Sequence, residues 1–441
     1  MADFFIPTSE QEFAENFAQL KPGMNRTEAL YESSRCLFCF DAPCIHACPS
    51  GIDIPQFIRQ INSGNDTGAA RTIYEANYFG NACGKVCPTE VLCEGACVYN
   101  LQEVKPIEIG RLQSFATTKV IMSGKRLFGP GADNGKKVAV IGAGPAGISA
   151  ACELRSLGYE VDVFEAKAQP SGLTVYGVAP YKITNEEILA EMAYLQAQFG
   201  YQTHFNSQIK SREELEKLEQ EYDAIFLGIG LGKTNALGLP GEYKINCIGA
   251  VEFIAELRQH HHEVAVGCKV IVLGGGNTAM DAASESSRLG ADTVILAYRR
   301  AKEEMGAYEF EYDLAKGVGV KGLFNVAPVE IIGNGYVAGV KFIRTETKDG
   351  RVQEIAGSEF VEPCDMVIKA TGQAKQTEFL SLIPGLTLDG KGRIIANSHT
   401  GQTSNPKYFA SGDAWNGGAE VVNAAAEAKL TARGIHAYLS K

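Results

Sequence analysis

The residues with the clearest capacity for chemistry are eight of the twelve cysteines, which crowd into the segment 36–97. The first group comprises Cys36, Cys39, Cys44 and Cys48, and the second comprises Cys83, Cys87, Cys93 and Cys97. Thiolates at these spacings resemble the runs that hold [4Fe-4S] clusters, in which a cysteine next to proline often serves the other cluster. The eight cysteines could form two sites with four thiolates each. A pair of structural zinc ions is the alternative, because zinc also accepts four thiolates.

Helices must position these cysteines. Residues from about 7 to 125 carry apolar side chains at three- and four-residue spacings and almost no strand-like alternation. We therefore expect a small helical domain over residues 1–130, wrapped around its cysteine ligands. A segment rich in glycine, proline and asparagine, 128–135, follows as a linker.

Two glycine-rich turns supply a second kind of chemistry. The first turn runs from Gly142 through Gly144 to Gly147, and the second contains Gly274, Gly276, Asn277, Thr278 and Ala279. Each follows a buried-strand pattern and opens a helix, so the glycines would let the backbone approach a pyrophosphate at the helix N-terminus. The sequence predicts two dinucleotide sites in a repeated α/β unit. Two structural turns without a ligand are the alternative.

The strand after each turn favours a particular dinucleotide. Glu165 lies about twenty residues past the first turn, where an acid can bind a ribose 2′-hydroxyl. Arg299 and Arg300 end the corresponding strand of the second unit, where guanidinium groups can bind a 2′-phosphate. The second site is therefore predicted to prefer NADPH over NADH. Alternatively, the arginines only coat a solvated strand end.

The order of the strand patterns indicates that the second unit is inserted into the first. Strands that end in glycine occur at 222–230 and 364–372, and another strand pattern with a long helix closes the chain. We expect a first dinucleotide-binding domain over 136–249 and 373–441, and a second over 250–372.

Composition excludes several classes of function. A chain of 441 residues with 45% apolar residues predicts two or three globular domains, and its net charge of -11 argues against nucleic-acid binding. There is no secretory leader pattern and no run of about 18 apolar residues, so we expect a cytoplasmic protein with no membrane association and with reduced thiols. The run His260-His261-His262 could bind a metal, but we interpret it as a solvated helix end.

The motifs together resemble the flavoprotein family that contains the glutamate synthase small subunit, the electron-bifurcating ferredoxin reductase subunit and the N-terminal half of dihydropyrimidine dehydrogenase. The motifs that stand in the family's order are the two glycine turns, Gly172-Leu173, Asp281, Gly372 and Gly412-Asp413. The resemblance implies an α/β, disulfide-reductase-like fold with two dinucleotide-binding domains and an N-terminal α-helical iron–sulfur domain. It implies FAD at the first turn and NAD(P)H at the second.

The cysteine region is similar to the pyrimidine-reducing branch of this family. Five residues separate Cys87 from Cys93, whereas glutamate synthase small subunits typically have three, and a glutamine replaces one ligand in the pyrimidine branch. The resemblance implies one cluster on Cys36, Cys39, Cys44 and Cys97, and another on Cys48, Cys87, Cys93 and Gln113. Cys83 would then not be a ligand.

Two departures from the family pattern concern the flavin. The family's Gly-Gly-Leu reads Ser171-Gly172-Leu173 here, and the proline of the next motif is displaced to Pro180.

The position of Asp281 allows it to orient the nicotinamide or simply to cap a helix turn.

The resemblance implies an oxidoreductase subunit in which electrons pass from NAD(P)H through FAD and two [4Fe-4S] clusters to a partner. Because the sequence ends at Lys441 without a flavin-mononucleotide barrel, we expect an FMN/iron–sulfur partner to reduce uracil or thymine, reversibly. Cofactors carry such chemistry, so no general acid or base is assigned to this chain. The alternatives are a glutamate synthase small subunit, a ferredoxin-NADP reductase-type donor, and a zinc-stapled nucleotide-binding scaffold without turnover.

Overall fold

The computed structural model describes residues 4–440. Its α-helices are α1 Glu10–Asn16, α2 Arg26–Ser34, α3 Pro43–His46, α4 Ile54–Asn62, α5 Asp66–Ala76, α6 Gly80–Val86, α7 Ile109–Ser123, α8 Pro145–Ser156, α9 Leu173–Tyr176, α10 Asn185–Phe199, α11 Arg212–Glu221, α12 Ala250–His260, α13 Asn277–Arg288, α14 Glu309–Gly317, α15 Thr377–Leu380, α16 Asp413–Asn416 and α17 Val421–Leu439. Short 3-10 helices cover Val98–Gln102, His261–Glu263 and Lys302–Glu304.

The strands are short and fall into three sheets. They are β1 Lys137–Ile141, β2 Glu160–Phe164, β3 Gln202–His204, β4 Ala224–Leu227, β5 Cys247–Gly249, β6 Lys269–Leu273, β7 Thr293–Tyr298, β8 Lys321–Phe324, β9 Val326–Ile332, β10 Gly339–Lys348, β11 Arg351–Glu354, β12 Phe360–Pro363, β13 Met366–Lys369 and β14 Tyr408–Ala410. The chain forms two compact units: the larger unit comprises 20–175, 182–231 and 375–440, and the smaller unit comprises 4–19, 176–181 and 232–374.

A parallel five-stranded sheet organises the larger unit, in the order β14-β4-β1-β2-β3. Four of the five residues of the central strand β1 and all four of β4 are buried, as expected for a sheet covered by helices on both faces. Strand β14 comes from the end of the chain and pairs with β4. The segment after residue 375 therefore completes a sheet that begins at residue 137.

The smaller unit repeats this design. Its parallel sheet has the order β5-β13-β6-β7-β8. Strands β9 to β12, which follow β8 in sequence, form a separate antiparallel sheet. Two such parallel sheets confirm the predicted α/β fold class.

The first described residues pack on the smaller unit, although the sequence analysis grouped them with the cysteine helices. Phe13 on α1 and Phe17, which immediately follows α1, stack at 4.3 Å between ring centroids and join the core of the second parallel sheet. The Asn16 amide donates to the backbone carbonyl of Arg288 over 2.8 Å. The sequence spacing of such an apolar pair does not indicate which of the protein's hydrophobic cores will bury it.

Seven helices of the described chain precede β1, and six of them, α2 to α7, surround the eight clustered cysteines. Residues 4–440 include no helix with the length and apolar character needed to span a membrane.

A buried carboxylate attaches these helices to the first sheet's helical layer. Glu191 of α10 accepts hydrogen bonds from the backbone N–H groups of Asn81 (2.6 Å) and Ala82 (2.9 Å), and from the Tyr74 hydroxyl (3.0 Å). The two amides lie in the first turn of α6, where N–H groups have no partner within the helix. Burial raises the pKa of Glu191 to about 7, although all three hydrogen bonds favour the charged form.

Replacing this carboxylate should loosen the cysteine helices. We expect Glu191→Ala to lower the free energy of unfolding by about 3 kcal/mol, because three buried donors lose their acceptor. Urea denaturation measures the loss, and hydrogen exchange of the amides at positions 81 and 82 should accelerate. Glu186→Ala is the control, since Glu186 is exposed on the same helix. Equal effects of the two substitutions would contradict the capping role of Glu191.

Candidate functional site

Four of the clustered thiols line one cavity. It encloses about 390 Å³ of space, partly open to solvent, and its walls include Cys36, Cys39, Cys44 and Cys97. Helix α3 carries Cys44, and Cys97 immediately precedes the 3-10 helix Val98–Gln102. These are the four residues that the resemblance assigns to one cluster, although they come from both sequence groups.

A second cavity gathers the remaining four cysteines and a glutamine. It encloses about 360 Å³ and is lined by Cys48, Cys83, Cys87, Cys93 and Gln113, together with apolar residues. The Gln113 amide nitrogen donates to the Gly80 carbonyl over 2.6 Å, which ties α7 to the start of α6. The structure brings the second predicted ligand set together, and it places Cys83 in the same cavity.

The thiols are held away from water. Burial raises the pKa of Cys44 to about 12, and it also raises the pKa values of Cys48 and Cys93. The pKa of Cys87 is raised first by a hydrogen bond with Cys83 and then by burial. Buried thiolates need a cation, and soft thiolate donors suit iron–sulfur clusters or zinc.

The cysteine side chains line cavities and do not converge on a position that could hold one metal ion. Within residues 4–440, no group of three histidine, cysteine or carboxylate side chains is close enough to hold a single metal ion. A cluster of four irons and four sulfides is larger than one ion, so its cysteine ligands must line a cavity. The donor set and its arrangement fit such a group.

The first glycine turn has the geometry that a pyrophosphate requires. A Cβ atom on Gly147 would lie 1.8 Å from the Gly142 carbonyl oxygen, so helix α8 can start this close to β1 only with glycine. Gly144 caps α8, and the nearest atom to its Cβ position is 4.0 Å away. The helix N-terminus is therefore accessible to an anion.

The carboxylate of Glu165 stabilises this turn through hydrogen bonds. Its two carboxylate oxygens accept the backbone N–H groups of Ala143 and Lys167, each over 2.8 Å. Each oxygen retains a second lone pair that a ribose hydroxyl could use. The sequence predicted the ribose contact but not the role in holding the turn.

The Ser171-Gly172 segment lies against the same turn. The Ser171 N–H donates to the Ala143 carbonyl over 2.7 Å, and the Cβ position of Gly172 is 3.0 Å from the Gly144 Cα. Ser171 is buried with a φ of 82°, a conformation that glycine adopts more readily. The backbone thus keeps a glycine-type path despite the departure from the family pattern, and the Ser171 hydroxyl bonds that of Thr174. Leu173 begins α9.

Gly412 and Asp413 complete this edge of the sheet. The Gly412 Cβ position is 3.0 Å from the Cβ of Ala146, and its N–H donates to Glu427 over 2.9 Å. Asp413 begins α16 and accepts the Ala419 N–H over 3.2 Å, while burial raises its pKa. All residues predicted from the resemblance for the first dinucleotide therefore meet at the carboxyl ends of parallel strands, where such ligands bind.

The second glycine turn is built similarly in the smaller unit. A Cβ on Gly274 would lie 2.4 Å from the Ala370 carbonyl oxygen, whereas Gly276, which caps α13, has open space around its Cβ position. The Asn277 side chain accepts the Tyr308 N–H over 3.0 Å. Thr278 is exposed and Ala279 is buried, so they face opposite environments. Gly372 accepts the Asn235 N–H over 2.9 Å and has a φ of 85°.

The two arginines differ in environment. Arg299 is exposed, and its carbonyl accepts the Thr345 hydroxyl over 2.9 Å. Arg300 is half-buried, and its Nε atom is buried without a hydrogen-bond partner among the described residues. An orphaned guanidinium nitrogen beside an exposed guanidinium fits an anionic ligand.

Asp281 has a partner that the sequence did not indicate. It is buried in α13 and accepts the Tyr181 hydroxyl over 2.7 Å. Burial and the nearby Asp281 carboxylate raise the pKa of Tyr181. A contact between residues 100 positions apart leaves no periodic signal, so no sequence pattern could have found it.

The histidine run lies at the end of α12. Nδ1 atoms of His261 and His262 are each 3.0 Å from a carboxylate oxygen of Glu10. His260 lies 3.6 Å from Glu256 on the same helix.

Family models match both parts of the chain. The model described as dihydropyrimidine dehydrogenase domain II, 4Fe-4S cluster, matches residues 13–125. The model described as pyridine nucleotide-disulphide oxidoreductase matches residues 136–428.

Two kinds of curated protein resemble the chain almost equally. It is 35% identical over 446 residues to the glutamate synthase [NADPH] small chain of Escherichia coli K12, which covers 96% of this chain and 94% of that protein. It is 34% identical over 422 residues to the NAD-dependent dihydropyrimidine dehydrogenase subunit PreT of the same strain, with 96% and 97% covered.

Solved structures share the fold. Mycobacterium tuberculosis FprA in complex with NADPH superimposes with a TM-score of 0.58 at 20% identity, covering 69% of this chain and 84% of that chain. Thioredoxin reductase of T. acidophilum gives a TM-score of 0.55 at 22% identity, covering 69% of this chain and 100% of that chain. With two parallel sheets, two glycine turns and a cysteine-lined helical region, the chain belongs to the pyridine nucleotide-disulphide oxidoreductase family, as an NAD(P)H-dependent flavoprotein oxidoreductase with an N-terminal 4Fe-4S domain.

Proposed function

We propose that this chain is the electron-donating subunit of a dihydropyrimidine dehydrogenase and delivers electrons from NAD(P)H to a partner that reduces uracil or thymine. Overall sequence identity does not distinguish the two kinds of relative, since it is 35% to the glutamate synthase small chain and 34% to the dihydropyrimidine dehydrogenase subunit. The observation that carries the choice is the second cavity, where Gln113 lines the wall beside Cys48, Cys87 and Cys93.

Two clusters fit the two cavities. The proposed ligands are Cys36, Cys39, Cys44 and Cys97 in the first cavity, and Cys48, Cys87, Cys93 and Gln113 in the second. Gln113 suits a ligand role because its amide nitrogen is already bonded to Gly80, which leaves the amide oxygen as its remaining polar atom. Cys83 is proposed to be a neighbour of this cluster and not a ligand.

The dinucleotide sites have separate tasks. In the larger unit, Gly142, Gly144, Gly147, Glu165, Gly172, Leu173, Gly412 and Asp413 are proposed to hold FAD. In the smaller unit, Gly274, Gly276, Asn277, Thr278, Ala279, Arg299, Arg300 and Gly372 are proposed to hold NADPH or NADH, with Asp281 close to the nicotinamide. When bound, these cofactors supply hydride acceptance and single-electron transfer, and the protein supplies orientation and a protected environment.

The domain division proposed for these tasks follows the sequence analysis, with the cluster domain at 1–130, the FAD domain at 136–249 and 373–441, and the NAD(P) domain at 250–372. The partner is proposed to be an FMN/iron–sulfur protein in a hetero-oligomer. Relatives whose names contain "subunit" and "small chain" support a partner of some kind.

A glutamate synthase small chain is the second candidate, because the relative of that name is 35% identical across 96% of this chain. Its partner would convert glutamine and 2-oxoglutarate to glutamate. A zinc-stapled scaffold without turnover would contain neither a flavin nor iron.

Anaerobic co-expression with an FMN/iron–sulfur candidate partner tests the proposal. We expect the purified complex to reduce uracil with NADH or NADPH, while the chain alone reduces only an artificial acceptor. Dihydrouracil formation is measured by chromatography. Glutamate formation from glutamine and 2-oxoglutarate by the complex would overturn the pyrimidine assignment.

The second cluster should depend on Gln113 but not on Cys83. We expect Gln113→Leu to lower the iron content from about eight to about four atoms per chain, because one of two four-iron sites loses a ligand. Cys83→Ser in the same cavity is the matched control and should leave iron content and visible absorption unchanged. Iron loss in Cys83→Ser with none in Gln113→Leu would reverse the ligand assignment. A colourless chain that binds zinc would reject both clusters.

Arg299 should select the phosphorylated dinucleotide. We expect Arg299→Ala to raise the KM for NADPH by about 10- to 100-fold, because a charge-assisted hydrogen bond contributes about 1.5–3 kcal/mol. The KM for NADH should stay the same. Arg351→Ala, at an exposed arginine on β11, serves as the control. Equal losses for NADH and NADPH would reject recognition of a 2′-phosphate by Arg299.

A further inference from the structure

The second cysteine cavity contains a polar side chain that neither the cysteine pattern nor the resemblance indicated. Asn77 lies in the cavity wall beside the thiols of Cys48, Cys83, Cys87 and Cys93. The residue is 0% exposed to solvent. Its amide nitrogen, Nδ2, is buried and has no hydrogen-bond partner among residues 4–440.

The orientation of this amide is fixed by the chain itself. Asn77 immediately follows α5, and its backbone N–H donates to the Ile73 carbonyl over 2.9 Å. Its side-chain oxygen, Oδ1, accepts the Phe79 N–H over 2.9 Å, which is the hydrogen bond of an asparagine-centred turn. Because Oδ1 is engaged, only Nδ2 is left to bind whatever fills the cavity.

An orphaned buried donor is costly. A buried amide N–H without a partner costs about 1–3 kcal/mol, and buried polar groups in folded proteins are almost always satisfied. Leucine has a similar volume and would remove this unpartnered donor, although it would leave the Phe79 N–H without its acceptor. A ligand with acceptor atoms, present when the protein is loaded, would explain why a donor stands here.

We propose that Asn77 is a positioning residue for the second iron–sulfur cluster and donates a hydrogen bond from Nδ2 to a sulfur of that cluster or of its cysteine ligands. The inference rests on the proposed function, because it requires a cluster in the second cavity. Hydrogen bonds to the sulfurs are one of the factors that set the reduction potential of such clusters. A donor stabilises the reduced form more, since that form carries the additional negative charge.

Two substitutions distinguish the effect of losing the Nδ2 donor from the effect of losing the turn. Asn77→Leu removes both the donor and the acceptor for the Phe79 N–H. Asn77→Asp retains an oxygen for that N–H, and therefore the turn, but removes the donor and adds a negative charge. Asn62→Asp is the matched control, because Asn62 is exposed on α4 in the same helical region.

The experiment is a potentiometric titration of the full loaded chain, followed by electron paramagnetic resonance. We expect both Asn77 variants to shift the midpoint potential of the second cluster to more negative values, with Asn77→Asp shifted at least as far as Asn77→Leu. The first cluster and the Asn62→Asp variant should retain wild-type potentials. Iron content, measured in parallel, should remain that of the wild type in Asn77→Asp.

Each contrary result identifies what is wrong. If both Asn77 variants keep the wild-type potential, the amide bonds something other than the cluster, such as a water molecule, and the inference is overturned. If only Asn77→Leu shifts the potential, the effect belongs to the turn, and the donor role is again overturned. A wild-type chain without a second cluster signal would instead overturn the proposed function itself.

Discussion

The cysteine helices are held by a small set of buried polar contacts with the helices that flank the first parallel sheet of the larger unit. Glu191 supplies the main one, since its carboxylate satisfies two N–H groups at the start of α6 and the Tyr74 hydroxyl. Helix α6 carries Cys83 and ends immediately before Cys87, so whatever holds its first turn also holds the wall of the second cavity. A domain that coordinates metal is thereby anchored by a group that binds no metal.

Other contacts extend the same attachment along α17. Lys429 donates to backbone carbonyls of Glu75 and Ala76 at the end of α5, next to Asn77. Val422, near the start of α17, lines the second cavity. Helix α17 of the larger unit therefore helps to form the second cysteine-lined cavity. These contacts help to explain why α2 to α7 form one compact unit with the first parallel sheet.

The sequence predicted the parts of the molecule that follow from local chemistry. Glycines such as Gly142 and Gly274 are required wherever a helix starts close to a strand, and such positions are visible without a structure. The fold class followed from the same signals and is confirmed. Contacts between distant residues left no comparable signal. The Tyr181–Asp281 hydrogen bond and the packing of Phe13 depend on tertiary proximity, which periodicity does not encode.

Asn77 shows a different limit of sequence reasoning. Asparagine after a helix is common, because its side chain can bond a nearby backbone N–H, and Asn77 makes that bond. The sequence therefore offers a sufficient local reason for the residue. Only the structure shows that Asn77 lines a cysteine-containing cavity and that the other end of its amide is buried without a partner among the described residues.

The negative charge of the cysteine thiolates is the main physical constraint on the second cavity. Thiolates in a desolvated space repel one another, and every additional one adds a negative charge that a bound cation has to compensate. In the proposed ligand set, the neutral amide of Gln113 takes the place of a fourth thiolate and lowers that charge by one. The hydrogen bond between Cys83 and Cys87 raises the pKa of Cys87, so Cys83 contacts a proposed ligand without being assigned as one itself. With the Asn77 amide, two neutral side chains then lie in the same cavity as the three proposed thiolate ligands.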